Sequence, residues 1–596
     1  MEQLGGEDPK ATQRLIWATL ALAVIFGIWA FFVRPKQAQP PPAKPASQQS
    51  AALPSQPQTQ PPAEVRPPES VAAPPEAAQP LQAQEETALT LKNDEVWIEV
   101  SNRGAVLHKV VLQKYGQKGG EKDDLVSPLA QVSGNHPLAV ATGDKTFDDL
   151  VNGALFHVEQ SDRKGGGAAV RLSWADEMGN AVTKSFGLPR TGYELDFSVS
   201  VSKAGAPLSP VPISWGPGLG RLLAAQAKSR YYQQEYIGLL EAGAFKKIQR
   251  SRVKADKPET TDAYGAGGPV VWAAITNGYF AALFKPDTPM PWARVVTRTL
   301  TPEEMKVHPA EADITLLVGY PGSGRLFIGP KVYESLKGMG DSYHRLLDWG
   351  SSDFGNTILE PICAILLWGL KKLYAFSHNY GIAIILLTFI IKLGFFPLTQ
   401  RSMVKMKEMG EAMKKLKPQI DRIKAKYKKM GKGMETRSKM NEETMDLYKR
   451  EGINPLGGMS GCLPMLLQMP IFFALFQLLP RAMDLRGAPF FGWIQDLSIP
   501  DPYYVTPILM GISMVFSTKM TSTQGMEGAQ KMMLWFMPVM FTWFCLWAPA
   551  GLTLYWFTNN LLTMGQQALI NRKVVQRQEA AAKLRKSTPK GPSRPS

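Results

Sequence analysis

The sequence predicts a multi-domain membrane protein: an α-helical bundle of six transmembrane helices, an all-β domain between the first helix and the other five, and a helical hairpin outside the bilayer. Three observations predict it. Long runs without a charged side chain fall near the N-terminus and after residue 379, residues 85–340 read as short strands, and the basic residues gather beside the apolar runs. At 596 residues the chain is too long for a single core.

The formal charge of +16 would suit a nucleic-acid binder, but lysine and arginine flank apolar spans instead of composing a nucleic-acid module. The charge is an orientation signal. Cys363, Cys462 and Cys545 all lie in apolar segments, which supports packing roles and neither a disulfide framework nor a Cys-based metal site.

In chain order, the first apolar run is Leu15 to Val33, bounded by Arg14 and Arg34 and long enough to cross roughly 30 Å of hydrocarbon as a helix. A cleaved signal peptide is the competing reading. Against it stand Glu2, Glu7 and Asp8 ahead of the run, its length, and the lack of a clear small-residue cleavage site directly after it, so residues 1–34 are taken as an anchor. Residues 35–84 are Pro, Ala and Gln with almost no large apolar side chain. Such a segment buries too little surface to offset its ordering entropy and is expected to be a disordered tether.

Between residues 85 and 340 come short alternating or β-branched runs: Val96 to Val100, Ala105 to Leu112, Ala169 to Trp174, Tyr193 to Val201, Val270 to Phe284, Ala312 to Val318 and Leu326 to Gly329. Gly, Pro, Asn and Asp separate them, the pattern of an antiparallel sandwich. With no span inside it, this domain belongs on the far side of the membrane from the N-terminus.

Residues 354–376 mix apolar side chains with Glu360, Pro361, Lys371 and Lys372, which fits an amphipathic helix lying on the outer surface better than a crossing. Five spans follow, at about 379–398, 456–480, 503–519, 532–548 and 551–571, the last two a hairpin turning at Ala548, Pro549, Ala550 and Gly551. The connection 399–451 holds Arg401, Lys405, Lys407, Lys414, Lys415 and further basic residues. Apolar residues recur in it at helical spacing, Met406, Met409, Met413, Leu416, Ile420 and Ile423, and again at Met440, Met445 and Leu447, which predicts two antiparallel helices. Its methionines suit a surface for varied apolar partners, though packing the two helices together accounts for most of them. The tail 572–596 is basic as well. By the positive-inside rule, the hairpin, the tail and the N-terminus are cytoplasmic and the β domain periplasmic.

No Asp or Glu lies within the five later spans, so the intramembrane carboxylate of a coupled transporter is missing. The six histidines are scattered, and no nucleophile with its base, metal cluster or phosphate-cradling Gly loop is present. Catalytic residues, cofactor and metal are therefore all expected to be absent. Lys392 is the one ionisable side chain well inside an apolar span, which makes it a functional candidate. The bland alternative is a lysine that snorkels its ammonium to the inner headgroups. Thr388 sits one turn before it, Gln468 in the next span, and Thr558, Asn559 and Asn560 in the last. If these converge they line a wet, positive cavity; ordinary helix-to-helix hydrogen bonding is the competing role.

Several stretches resemble the YidC/Oxa/Alb family of membrane protein insertases, in its Gram-negative form: Phe396-Pro397-Leu398-Thr399, Tyr448, Asn454-Pro455-Leu456-Gly457-Gly458, Gln468-Met469-Pro470-Ile471-Phe472, Asp501-Pro502-Tyr503-Tyr504, Phe536-Met537-Pro538, and Tyr555 with Asn560. They run in order through the C-terminal region. The resemblance implies a five-helix insertase core behind an N-terminal anchor, a periplasmic β super-sandwich of the galactose-mutarotase type, matched more loosely and chiefly at Leu326-Phe327-Ile328-Gly329-Pro330, and a cytoplasmic helical hairpin.

It further implies a hydrophilic groove containing Lys392, where such proteins usually carry arginine, with Thr388, Gln468 and Asn560. Lysine keeps the charge but not the planar fork of donors. An apolar face of Met469, Phe472, Met540, Phe544 and Tyr555 would contact the client. The partners implied are nascent membrane proteins, membrane lipids, the Sec translocon, and, through the hairpin and basic tail, the ribosome and the signal recognition particle or its receptor. Charge alone equally allows the tail to be a solvated, lipid-attracted segment. A membrane transporter and a membrane-anchored periplasmic glycan-binding protein are the rival classes. Flux in liposomes would favour the first, and loss of all activity on deleting the β domain the second.

Overall fold

The computed structural model describes residues 80–116, 121–163, 165–221, 234–249, 259–310, 312–350, 353–429, 433–451, 463–520 and 529–587. The anchor expected at 15–33, the tether up to residue 79, the Asn454 to Gly458 motif and the end of the basic tail lie outside them. Leu81 and Ala83, expected in the tether, already hydrogen-bond to the β domain, to Ala175 and Leu155.

The β domain is built from three antiparallel sheets. The largest has ten strands. From edge to edge it runs Ala244–Gln249, Tyr236–Glu241, Val270–Thr276, Phe280–Pro286, Ser323–Pro330, Glu194–Lys203, Ala181–Pro189, Gly167–Ala175 and His157–Asp162, with Ala206–Leu208 added onto Glu194–Lys203. A four-stranded sheet runs Val211–Trp215, Ala312–Tyr320, Ala293–Thr299 and Glu259–Tyr264, and the other four-stranded sheet runs Ala88–Lys92, Val96–Ser101, Val106–Gly116 and Lys122–Asp124. Their inner faces share one core that includes Ile98, Leu107, Val170, Phe197, Ile213, Trp215, Phe284 and Leu316. This is a β-sandwich, as expected.

The run Val270 to Phe284, expected as one strand segment, is a hairpin of two strands paired Ala273 to Phe284 through Thr276 to Ala281. Its near-continuous hydrophobicity has a reason. Val270, Ala273, Ile275, Ala282 and Phe284 face the sandwich core, whereas Trp272, Ala274, Ala281 and Leu283 pack in a second core shared with the helices. A strand buried on both faces has no polar side to alternate with.

We label the helices that follow α1 (Asp353–Ser377), α2 (Tyr380–Lys428), α3 (Met434–Arg450), α4 (Leu463–Leu478), α5 (Val505–Met520), α6 (Ala529–Cys545) and α7 (Ala550–Ser587). Two of them differ in extent from the sequence expectation. α2 continues unbroken through Pro397 and Pro418 for 49 residues, about 73 Å at 1.5 Å per residue. The span and the first helix of the connection are thus one rod. α7 likewise runs on past Asn571 to Ser587.

Of the described helices, α2 alone is long and apolar enough to cross a membrane by length and composition; Leu467–Leu478, Val505–Met520 and Trp535–Cys545 are shorter apolar helices. α7 is long, but Thr558, Asn559, Asn560, Gln566 and Gln567 dilute its hydropathy, and all five are buried. Its polar side faces protein.

Local signals fix the helix starts. The Asn379 side chain caps α2 by accepting from the Gly381 and Ile382 amides at 2.8 and 3.1 Å. Asp501 caps α5 from the Thr506 amide at 2.8 Å while holding Trp493 Nε1 and the Tyr503 amide, both at 3.0 Å. α2 and α3 are tied by Lys426 Nζ donating to Glu443 at 2.9 and 3.1 Å.

The β domain and helices form one packed body. Arg486, in the connection from α4 to α5, donates to both carboxylate oxygens of Asp123 at 2.6 and 2.8 Å and stacks over Tyr279 and Phe280. The Tyr279 hydroxyl donates to Ser498 Oγ at 3.1 Å, and Lys371 of α1 pairs with Glu334 and Asp484.

Candidate polar seam of the helical bundle

Polar side chains of α4 and α7, and of α2 and α7, meet inside the bundle. Gln468 of α4 donates from Nε2 to the Tyr555 hydroxyl at 2.8 Å and to Asn559 Oδ1 at 2.7 Å. Tyr555 and Asn559 are four residues apart, so they share one face of α7. Tyr555 is buried, its phenol ending in this polar cluster. It does not lie on the open apolar face, as the resemblance implied, because Gln468 needs a partner inside the bundle.

Asn560 is one residue, about 100°, further around α7. Its amide donates to Ser513 Oγ at 3.0 Å and to the Met510 carbonyl at 3.3 Å, both on α5. Convergence of Gln468 with Asn560 is therefore not seen, and Asn559 takes that place. Asn560 is a helix-to-helix tie instead.

On α2, Thr388 is buried and its hydroxyl donates to the Ile384 carbonyl of its own helix at 2.6 Å. Lys392, one turn on, is half-buried and makes no hydrogen bond or ion pair with any described residue. Two turns further, buried Thr399 accepts from Gln566 Nε2 of α7 at 3.0 Å, and beyond that Lys407 Nζ donates to Asn571 Oδ1 at 2.8 Å. Gln567 is 2% exposed, and neither of its amide atoms is hydrogen-bonded to a described residue. Buried amides are rarely left so, since the cost is about 1–3 kcal/mol. The contact between α2 and α7 is thus a polar seam at Thr399 and Lys407, two turns and more beyond Lys392 along α2. Gln566, Gln567 and Thr399 were missed by sequence reasoning. The signal was available, because Asn559 and Gln566 are seven residues apart, a helical repeat.

The apolar candidates separate into two groups. Met540 and Phe544, four residues apart on α6, are 49% and 44% exposed. Met469 and Phe472 are half-buried, and Phe472 packs in an aromatic group with Trp556 at 4.7 Å and Phe541 at 6.1 Å between ring centroids. Phe472 therefore joins α4 to α6 and α7. Gly511 gives α5 a close approach to α6, where a Cβ would collide with Thr542.

Comparison with known proteins gives the family. A model described as the 60Kd inner membrane protein matches residues 372–578, and one described as the YidC periplasmic domain matches residues 88–364. A membrane protein insertase YidC of Citrifermentans bemidjiense is 34% identical, covering 94% of this chain and 99% of that protein. Another, from Geobacter metallireducens, is 32% identical over 94% of this chain and 98% of its own. A crystal structure of an active YidC insertase with its first transmembrane domain resolved is 20% identical, covers 83% of this chain and 94% of that one, and has a TM-score of 0.32. The chain belongs to the YidC family of membrane protein insertases.

Proposed function

We propose that this chain sits in the bacterial inner membrane, with its β domain in the periplasm and both termini in the cytoplasm, and helps nascent membrane proteins enter the bilayer. Six spans fit this reading: the N-terminal run, the first half of α2, and α4 to α7 with their flanking residues. The excess of lysine and arginine in 399–451 and after residue 571 supports the orientation. α1 would lie at the outer surface. The outer ends of α2 and α3 would project into the cytoplasm, where they and the basic tail could engage the ribosome and the signal recognition particle or its receptor. Work beside the Sec translocon fits the same placement.

One observation carries the mechanism: the Lys392 ammonium is half-buried in a long apolar helix and unpaired among the described residues. A charge in that setting needs water or a polar partner. In the proposed mechanism the client supplies it, placing a polar or acidic flank beside Lys392 while its apolar segment meets Met540 and Phe544. The client then moves sideways into lipid. About 20 apolar residues at a few tenths of a kcal/mol each supply the drive, with no covalent chemistry.

Photocrosslinking groups introduced at Met540, Phe544, Phe472 and Tyr555 in separate full-length variants, with a stalled single-spanning client, test the apolar path. Crosslinks at Met540 and Phe544 with none at Tyr555 are expected. Equal yields at all four positions would mean that the client enters the bundle interior and the path is wrong.

A further inference from the structure

Where the β domain meets the end of α4, three basic side chains crowd one carboxylate. Lys331, just after strand Ser323–Pro330, is 1% exposed, donates to the Leu346 carbonyl at 3.1 Å and stands 5.7 Å from the centre of the Tyr236 ring. Lys247, on the edge strand Ala244–Gln249, stands over the same ring at 4.7 Å and pairs with Asp348. Arg481 arrives from the helical half, just past Leu478. Its Nη1 donates to the Gln477 carbonyl at 3.4 Å, and its buried Nε has no hydrogen-bond partner among the described residues.

These groups act on one another. Burial lowers the proton affinity of Lys331 most, Asp348 opposes that, and Arg481 and Lys247 add to it. Burial thus favours neutral Lys331 and Asp348 answers Lys247, which leaves the buried Arg481 guanidinium as the charge in question. An excess of buried positive charge is unfavourable without a counter-anion. Room for one exists, because Lys247, Gln249, Asp348 and Arg481 line a cleft of about 510 Å³.

We propose that this cleft binds a phosphate group, with the Arg481 guanidinium and Lys247 ammonium as the charged donors and Gln249 as a neutral one. The Arg481 guanidinium lines the cleft, and among the described residues only its Nη1 is engaged, so it retains donors that a phosphate can accept from. The Asp348 carboxylate holds Lys247 in place. The phosphate belongs either to a lipid headgroup of the outer leaflet or to free phosphate. The headgroup source rests on the topology proposed above; the phosphate chemistry does not.

The full chain, purified in delipidating detergent, is titrated with inorganic phosphate. It is then reconstituted in phosphatidylcholine nanodiscs with and without phosphatidylglycerol. The thermal midpoint is read by tryptophan fluorescence in wild type, Arg481→Gln, Lys247→Gln and, as a control on exposed α3, Lys439→Gln. Wild type and Lys439→Gln should rise in midpoint with phosphate or with phosphatidylglycerol. Arg481→Gln and Lys247→Gln should need about tenfold more of it, the loss expected for one charge-assisted bond.

A response to phosphatidylglycerol alone assigns a headgroup, and one to inorganic phosphate assigns the free anion; both support the site. No response in wild type, or equal responses in all four proteins, overturns it. Should Arg481→Gln fail to fold, Lys247→Gln, altering a side chain 22% exposed, carries the test. Client insertion is measured in parallel. In the wild-type chain, no insertion with the phosphate response present counts against the proposed function, and insertion with no phosphate response counts against this site alone.

Discussion

Two lysines, one in each half of the molecule, show how differently the halves treat a polar group. Lys184, in the β domain, is fully buried, and its ammonium donates to the carbonyls of Gly104, Leu138 and Ala105 at 2.7, 2.8 and 3.2 Å. Lys392, in α2, is half-buried and has no such partners among the described residues. The same contrast recurs. Glu304 is gripped by two Arg298 nitrogens at 2.8 and 3.0 Å and closes a capping box with Thr301, whereas the buried Gln567 amide has no partner among the described residues. These two polar groups of the β domain are completed by the fold and act in stability. Lys392 and Gln567 are not completed by any described residue, and under the function proposed above a transient guest would be received there.

The sharpest way to break this contrast is Lys184→Met. It leaves three buried carbonyls without their donor and should cost about 3 kcal/mol, read by urea unfolding of the full chain. A change under about 0.5 kcal/mol would mean that the carbonyls are satisfied otherwise. Next, Arg486→Ala removes the bidentate tie to Asp123 and should cost about 2 kcal/mol. Hydrogen exchange should quicken both at residues 123–127 and in the connection around Ser498. Quickening on one side only would show that the two halves are not coupled there.

A third effect depends on pH. The Arg298 hydrogen bonds hold the Glu304 carboxyl down to about 2 from 4.5, so its stabilisation is present above about 4.5 and is lost as pH falls toward about 2. Asp313, on the same arginine, works the other way, since burial raises it to about 6 and its contribution is lost as pH rises toward that value. The difference between wild type and Glu304→Gln should therefore shrink from pH 4.5 to pH 2. A difference independent of pH would remove the ion pair from the explanation. The smallest stability effect is expected for Gln468→Leu, about 1 kcal/mol in line with polar contacts between membrane helices. Client insertion should nevertheless fall severalfold if the seam is functional. Unchanged insertion would make the Gln468 cluster a purely structural tie.

Much of this was legible in the sequence, unevenly and for physical reasons. Strands with one wet face, such as Val96–Ser101, announce themselves by alternation. Val270–Thr276 and Phe280–Pro286 merged into one run because both of their faces are dry. Glu259–Tyr264 passed unread, since its mostly exposed, polar side chains carry no pattern and its pairing with Ala293–Thr299 is a tertiary decision. Lys392 stood out as a lone charge in an apolar run. The choice between Asn559 and Asn560 could not be read, because neighbouring polar residues on a helix differ only in phase, and the phase is set by which helix packs on which side.

The central claim is that the charge on Lys392 acts on the client. Its most direct test replaces the host's own insertase with wild type, Lys392→Arg, Lys392→Ala or Lys392→Glu and measures insertion of a single-spanning client with an acidic flank. Wild type and Lys392→Arg should insert it, Lys392→Ala less well, and Lys392→Glu about tenfold less or not at all. Equal insertion by all four, with acidic and basic client flanks alike, would contradict the account and leave Lys392 as a lysine that reaches the headgroups.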